Sequence, residues 1–323
     1  MANTLATDRK AYIITGPTSG IGYATALELA KHGTVVLIGR DPARLDDVQK
    51  TIERKGRRAV SVVCDLSNLV SVRRAAVEIV ALRFKIAGLI NNAGIRQTRP
   101  TKNALGWDMT FATNHLGPFA LTEALVPHLP DGANVVFVAS AVEDPERQPA
   151  KAVGFRGGRY ISAAACARGE WKPGGAKPGG FDSYATSKQA NLAAALAFAR
   201  ETPRLRFSAV EPGINPTTGL ERDNSALVRF MVRYIVVLLV PLLLPFIKVL
   251  STPKRAARVI AKIMTDGSRQ TGVYYDEHGH PMLASALVRD PNFQNRVVAE
   301  TRALLSTIST RTNSDQPGRS FDP

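Results

Sequence analysis

The segment "AYIITGPTSGIG", Ala11 to Gly22, joins a short apolar run to a glycine-rich turn and then to the start of a helical pattern. Glycines at positions 16, 20 and 22 allow a tight turn, let the backbone approach a pyrophosphate and let the helix pack closely on the strand. A phosphate would lie at the helix N-terminus, where unpaired backbone N–H groups attract anions. Glycines also serve as caps and turns, but their place between a first strand and a first helix predicts a nucleotide site.

The rest of the chain continues the alternation that this segment begins. Apolar runs such as "TVVLIG" and "NVVFVAS" alternate with longer segments of helical period. These runs are apolar throughout, which is typical of strands that are buried on both faces. The pattern predicts an α/β fold with a doubly wound parallel sheet, the three-layer Rossmann architecture, in one domain over residues 1–308.

Three segments depart from this alternation. Residues 144–180 are rich in Gly, Pro and basic side chains and predict an insertion loop outside the sheet. Residues 226–251 form an apolar segment around "YIVVLLVPLLLPFI", residues 234–247. Residues 309–323 have no apolar period and predict a disordered tail.

The apolar segment is too short to be a transmembrane helix. Its 14-residue centre would span about 21 Å, less than the roughly 30 Å hydrocarbon core, and Pro241 and Pro245 interrupt it. Three alternatives stay open: a lid over an apolar substrate, a peripheral membrane contact flanked by basic residues, or ordinary core packing.

Composition limits the classes of partner. The 323 residues carry a formal net charge of +15, but no zinc-finger signature, RNP-type signature or basic run interleaved with aromatics accompanies it. We therefore expect surface charge and no nucleic-acid partner. Two distant cysteines and a start without an apolar signal segment predict a cytoplasmic protein, with peripheral membrane association as the alternative. "DEHGH", Asp276 to His280, is interpreted as a surface loop, so no metal is expected.

The ends of the second and third strands indicate the nucleotide. An NAD site usually has an acidic residue after the second strand, whereas here Arg40 follows, and its guanidinium suits a 2′-phosphate. The sequence thus favours NADP over NAD, although the adjacent Asp41 leaves open that Arg40 only begins a surface turn. Asp65 and Leu66 follow the third strand, where an adenine ring would lie.

A reactive pair lies in "FDSYATSKQAN". Tyr184 and Lys188 are one helical turn apart, so a phenol and an ammonium can act on one small molecule. A hydroxyl to hold the reacting oxygen could come from Ser140 or Ser162. Ser140 ends a buried strand, beyond which ligands bind in doubly wound sheets, whereas Ser162 lies in the insertion. We therefore predict Ser140.

The motifs in their order resemble those of the short-chain dehydrogenase/reductase family, from about residue 10 to about residue 280. They are "TGPTSGIG", "DL", "NNAG", "NHLGPFALT", "VVFVAS", "YATSK" and "PGINPT". Within the family the chain resembles the retinol-dehydrogenase-like and protochlorophyllide-reductase-like branch. The 44 positions between Ser140 and Tyr184 exceed the family's usual spacing because the insertion lies between them.

The resemblance implies a role for each site residue. Tyr184 would exchange a proton with the substrate oxygen, Lys188 would favour the phenolate and bind the nicotinamide ribose, and Ser140 would hold the substrate oxygen. Asn114 would keep a water in a proton relay. Besides Tyr184 and Lys188, the implied cofactor contacts are Gly16, Thr18, Ser19, Gly20, Ile21, Gly22, Arg40, Asp65, Leu66, Asn91, Ala93, Gly94, Pro212, Gly213, Ile214 and Thr217.

The implied function is an NADP-dependent oxidoreductase that moves hydride between nicotinamide and a lipophilic carbonyl or alcohol. Two alternatives remain: reduction of an activated C=C bond, and a non-catalytic NADP(H)-sensing interaction protein. Homo-oligomers are common in the family. Glu211 stands before "PGINPT", where many relatives have a small or neutral residue, and the sequence leaves its role undecided.

Overall fold

The structure is a computed structural model that describes residues 10–177, 179–213, 251–267 and 270–314. The predicted contacts Ile214 and Thr217, and residues 226–250 of the apolar segment, lie outside these ranges. Within the described ranges, no helix combines the length and apolarity needed to cross a bilayer.

A parallel sheet forms the centre of the molecule. Its strands are β1 Lys10–Thr15, β2 Thr34–Gly39, β3 Ala59–Val63, β4 Lys85–Asn91, β5 Asn134–Val138, β6 Arg206–Val210 and β7 Val273–Tyr275. They lie side by side in the order β3-β2-β1-β4-β5-β6-β7, and each adjacent pair is parallel. This arrangement confirms the predicted doubly wound α/β fold. The strand order reverses between β1 and β4, and such a switch point opens a crevice for ligands.

Helices cover both faces of the sheet. They are α1 Gly20–Leu29, α2 Pro42–Glu53, α3 Leu69–Ala81, α4 Met109–Phe111, α5 Gly117–Leu125, α6 Gln148–Ala152, α7 Ala163–Arg168, α8 Gly179–Glu201, α9 Pro253–Thr265, α10 Ala286–Arg289 and α11 Pro291–Ser314. Ile14 of β1 packs with α1, α2 and α9, whereas its neighbour Ile13 packs with α3, α5, α8 and α11. Because successive strand residues point to opposite faces, this alternation produces the three layers.

The insertion at residues 144–180 adds no strand in its described part, but it contains α6 and α7. It is anchored to α11, since the buried Tyr160 hydroxyl donates to Glu300 Oε2 at 2.9 Å and the Ala163 N–H donates to the same oxygen at 3.1 Å. Trp171 lies edge-on to Phe111, with 6.1 Å between ring centroids. The insertion is therefore attached to the core through its own side chains.

Helix α11 overlaps the start of the predicted tail, and residues 315–323 lie outside the described ranges. The tail predicted to start at residue 309 begins inside this helix, which runs to Ser314. The buried turns at Phe293, Val297 and Thr301 anchor the helix. Once a helix is nucleated, each further residue adds a backbone hydrogen bond, so it can continue through polar residues without an apolar period.

A buried histidine connects three helical segments. His115 lies in a π-helical turn, Ala112–Leu116, between α4 and α5. Its Nδ1 donates to Asn191 Oδ1 of α8 at 2.9 Å, and its Nε2 pairs with the Thr301 hydroxyl of α11 at 3.1 Å. Burial lowers the pKa of His115 to about 4, and the bond to Asn191 opposes that change.

This histidine should make stability depend on pH. The unfolded chain binds its proton with a pKa near 6.5, so the unfolded state gains protons first as the pH falls. We expect the free energy of unfolding to decrease by roughly 3 kcal/mol from this residue as the pH falls from neutral to about 4. Urea unfolding at several pH values would measure it.

The matched variants are His115→Gln and His128→Gln, since His128 is exposed in the turn after α5. The first should flatten the pH dependence and the second should leave it unchanged. An equal pH dependence in wild type and His115→Gln would contradict the assignment.

Candidate functional site

A cleft of about 530 Å³ opens at the carboxyl ends of the strands. Its walls come from the loops after β1 to β6, because parallel strands all end at the same edge of the sheet. The predicted site residues that line it are Gly16, Thr18, Ser19, Gly20, Ile21, Gly22, Arg40, Asp65, Leu66, Ala93, Gly94, Ser140, Tyr184, Lys188, Pro212 and Gly213. Among the described residues, no group of three or more His, Cys, Asp or Glu side chains could hold a metal ion.

In the glycine-rich turn, the backbone at Gly22 lies directly against the backbone at Gly16. Gly16 and Gly20 have φ angles of 68° and 55°, in the left-handed region that glycine tolerates. A Cβ on Gly22 would lie 2.1 Å from the Gly16 carbonyl oxygen, so only glycine fits where α1 starts. The turn thus leaves a compact rim of backbone at the N-terminus of α1, which suits a diphosphate.

Two arginines flank this turn. Arg40 is exposed after β2 and lines the cleft. Asp41, the acidic neighbour, caps α2 by accepting from the Arg44 N–H at 3.2 Å. The Arg44 guanidinium donates to the Thr18 carbonyl at 3.1 Å. Asp41 therefore has a structural role, and Arg44 is a contact to the glycine turn that the sequence analysis missed.

The turn after β3 is closed by its own acidic residue. Asp65 Oδ1 accepts from the Ser67 N–H at 2.9 Å and from the Ser67 hydroxyl at 2.8 Å. Leu66 is buried, and a Cβ on Gly117 would lie 2.0 Å from its carbonyl oxygen. The Asp65–Leu66 pair is thus pressed against the start of α5 at the cleft wall.

Of the two adjacent asparagines after β4, only the second faces the cleft. The Asn91 side chain is buried behind the sheet, where it donates to the Thr122 hydroxyl at 2.8 Å. Asn92 lines the cleft and donates to the Thr15 carbonyl at 2.9 Å. The structure therefore puts the predicted contact Asn91 outside the cleft. The two-residue alternation of strand side chains could have distinguished the pair.

Ser140, Tyr184 and Lys188 meet at the cleft. Ser140 and Tyr184 both line the cleft, and the Ser140 hydroxyl lies close enough to the tyrosine side chain to lower its pKa. Lys188 Nζ donates to the Val138 carbonyl at 2.7 Å and lies 5.6 Å from the centroid of the Tyr184 ring. Ser162 lies elsewhere, where it caps α7 by accepting from the Ala165 N–H at 3.1 Å.

Asn114 lies behind the cleft and holds its wall. Its side chain donates to the Ile95 carbonyl at 2.9 Å and accepts from the Ile95 N–H at 2.8 Å. Its amide also donates to the Ser187 hydroxyl at 3.1 Å. Its backbone carbonyl accepts from Asn191 Nδ2 at 2.8 Å. Asn114 thus fastens the loop after β4 to α8, next to Lys188.

Burial and the Glu211 carboxylate shift the pKa values of Tyr184 and Lys188. Burial and then the Glu211 carboxylate raise the pKa of Tyr184 above its usual value, whereas Arg96 and Ser140 lower it. Burial lowers the pKa of Lys188 to about 8, and Glu211 acts in the opposite direction. The amine therefore exchanges its proton near physiological pH.

Comparisons with known proteins agree with this geometry. A model of the short-chain dehydrogenase family matches residues 10–150. Human retinol dehydrogenase 14 is 38% identical over 149 residues, which cover 41% of this chain and 44% of that protein. The chain thus spans less than half the length of that curated relative.

Two solved structures show the same fold. An uncharacterised protein from Mycobacterium paratuberculosis shares 25% identity, with a TM-score of 0.67 over 93% of this chain and 94% of that one. A short-chain dehydrogenase from Burkholderia cenocepacia in complex with NADP shares 23% identity, with a TM-score of 0.59 over 84% of this chain and 96% of that one.

The contact at Gly22 gives a test of the nucleotide site. In Gly22→Ala the new methyl group would meet the Gly16 carbonyl, and both groups belong to the backbone, so the turn must shift. We expect the Kd for NADPH to increase roughly tenfold or more, which corresponds to about 1.4 kcal/mol of lost binding. Fluorescence titration would measure it.

Gly56→Ala is the control, because Gly56 has a φ of 70° but nothing within 4 Å of its Cβ position. It should cost about 1 kcal/mol of stability and leave the Kd unchanged. Normal NADPH binding by Gly22→Ala would contradict the proposed phosphate contact.

Proposed function

We propose that this chain is an NADP(H)-dependent oxidoreductase of the short-chain dehydrogenase/reductase family that acts on a lipophilic carbonyl or alcohol. The observation that carries the proposal is the meeting of Ser140, Tyr184 and Lys188 in the cleft that the glycine turn also lines. A protein that only binds the nucleotide has no need for these three side chains together.

The cofactor would be held by groups along the carboxyl edge of the sheet. The glycine turn would bind the diphosphate, Arg40 the 2′-phosphate, and Asp65 and Leu66 the adenosine end. The backbone rim around Gly22, where no side chain fits, suits close approach of a phosphate. NADPH supplies the hydride, and the protein orients the ring relative to the substrate.

Tyr184 would supply the proton in the reducing direction. Its hydroxyl donates to the substrate oxygen as that oxygen gains negative charge, and Ser140 donates a second hydrogen bond. The remaining phenolate is stabilised by the Lys188 ammonium, which lies against the tyrosine ring. In the oxidising direction the same phenolate accepts the proton.

The cleft lining supports an apolar substrate. Val142 and Phe155 line it beside Tyr184. Phe155 is stacked on Phe181, with 4.3 Å between ring centroids and 13° between ring planes. The Arg96 guanidinium lies 5.3 Å from the Phe181 centroid. Phe155 of the insertion and Phe181 of α8 would thus form an aromatic wall that favours a lipophilic or conjugated carbonyl.

Turnover by active-site variants tests the reaction. We expect the wild type to oxidise NADPH with members of a panel of lipophilic aldehydes, ketones and enones, and Tyr184→Phe to lower kcat roughly 100-fold or more. Ser140→Ala should also lose most activity. Ser162→Ala, the matched serine control, should keep its activity and lose about 1 kcal/mol of stability with its helix cap.

Each other outcome has a meaning. Equal inactivation by Ser140→Ala and Ser162→Ala would contradict the assignment of Ser140. Products reduced only at C=C would favour the alkene-reductase alternative. NADPH binding without turnover of any compound would favour the nucleotide-sensing alternative.

Arg40 should determine cofactor preference. Loss of its guanidinium removes a charge-assisted contact to the 2′-phosphate, which NADH lacks. We expect Arg40→Ala to raise the KM for NADPH roughly tenfold to a hundredfold and to leave that for NADH nearly unchanged. Arg54→Ala, at an exposed position at the end of α2, is the control. An equal loss for both cofactors would show that Arg40 does not contact the 2′-phosphate.

A further inference from the structure

Glu211 is a buried carboxylate in the wall of the cleft. It follows β6 directly and is only 7% exposed. It lines the same cleft as Tyr184 and Lys188. Burial of an ionised carboxylate is costly unless hydrogen bonds or charges compensate it, so the contacts of this side chain indicate its role.

The two oxygens of Glu211 join two loops. Oε2 accepts from the backbone N–H of Ala141, the residue after Ser140. Oε1 accepts from the N–H of Gly213 at 2.9 Å, in the turn after β6. The Glu211 N–H donates to the Tyr275 carbonyl at 2.8 Å, which holds its backbone at the end of the sheet. The side chain therefore bridges the ends of β5 and β6.

This bonding pattern suits the ionised form. A carboxylate only accepts hydrogen bonds, whereas a protonated acid would direct a hydroxyl toward one of the two N–H donors. Both N–H bonds lower the pKa of Glu211, although burial has the larger effect and raises it. The two N–H donors thus favour the carboxylate form against the effect of burial, and the side chain lines the same cleft as Tyr184 and Lys188.

Other charged and titratable groups also surround Glu211. Tyr184 and Lys188 lie on α8, Glu143 and Arg147 belong to the segment after β5, and Tyr274 and Glu277 come from β7 and the turn that follows it. Glu143 has its own partners, since its carboxylate accepts from the Ser285 N–H at 2.8 Å and from the Ser285 hydroxyl at 2.6 Å. It therefore offers a buried neighbour that does not bridge the two loops.

We propose that Glu211 is a positioning residue: its carboxylate fixes the Ser140 loop against the Pro212–Gly213 turn, and its negative charge keeps the buried Lys188 in the ammonium form. The first part rests on the proposed function, because it concerns the geometry of the reaction. The second part concerns only the charge of the protein and can be measured without a substrate.

The positioning part and the electrostatic part of the proposal can be tested separately, because the length and the charge of the Glu211 side chain can be changed independently. Glu211→Gln keeps the side-chain length and removes the charge, and its amide NH₂ would face one of the two N–H donors. Glu211→Asp keeps the charge and shortens the bridge by one methylene. The pKa of Lys188 is about 8, because burial lowers it and Glu211 partly opposes that effect, so loss of the carboxylate should lower it further.

The experiment is a pH titration of the lysine Cε resonances by ¹³C NMR on the full chain, with the Lys188 signal assigned through Lys188→Met. We expect a midpoint near 8 in wild type and a shift to lower pH of roughly one unit in Glu211→Gln. Glu211→Asp and the control Glu143→Gln should stay near the wild-type midpoint. An unchanged midpoint in Glu211→Gln would overturn the electrostatic part.

The reaction gives the second readout. In Glu211→Asp, kcat for NADPH-dependent reduction should fall roughly tenfold with an unchanged pH profile, because the bridge is too short. In Glu211→Gln, the alkaline limb of the kcat profile should also move to lower pH. Wild-type kcat in both variants would overturn the positioning part. A wild type that turns over nothing, with the Lys188 midpoint still shifted in Glu211→Gln, would refute the proposed function and leave the electrostatic part supported.

Discussion

The parallel pairing of β1 with both β2 and β4 is the constraint on which the rest of the structure depends. A strand paired on both edges satisfies its backbone groups and must bury side chains on both faces, so Ile13 and Ile14 enter opposite layers. The same pairing directs every carboxyl end to one edge. The glycine turn, the loop after β4, Ser140 and the turn after β6 therefore line one cleft, although they lie far apart in the chain.

Polar groups are buried around this cleft only where they have fixed partners. Asn114 bonds Ile95 on one side and accepts from Asn191 on the other, and Asn191 in turn bonds His115. A buried polar group that lost its partner would cost free energy. This hydrogen-bond network therefore makes one arrangement of the side chains much more stable than the alternatives. Lys188 is held in the same way by the Val138 carbonyl. The result is a rigid support for a reactive pair.

The insertion shows how a long segment between Ser140 and Tyr184 can leave their contact intact. Tyr160 and Ala163 both donate hydrogen bonds to Glu300, so the insertion packs against α11. Its return to α8 brings Phe155 to the mouth of the cleft, stacked on Phe181. Extra chain length thus contributes a wall to the cleft while the ends of the insertion stay in place.

The sequence by itself determined the sheet, the glycine turn and the grouping of Ser140, Tyr184 and Lys188. These features depend on local signals: apolar periodicity, glycine spacing and the rule that ligands bind beyond the carboxyl ends of parallel strands. Tertiary structure alone decided that Asn114 supports the wall from behind and that α11 continues to Ser314. It also decided that Glu211 bridges to Ala141, a residue 70 positions earlier. Such contacts join residues whose separation along the chain carries no periodic signal, so they appear only when packing brings the two loops together.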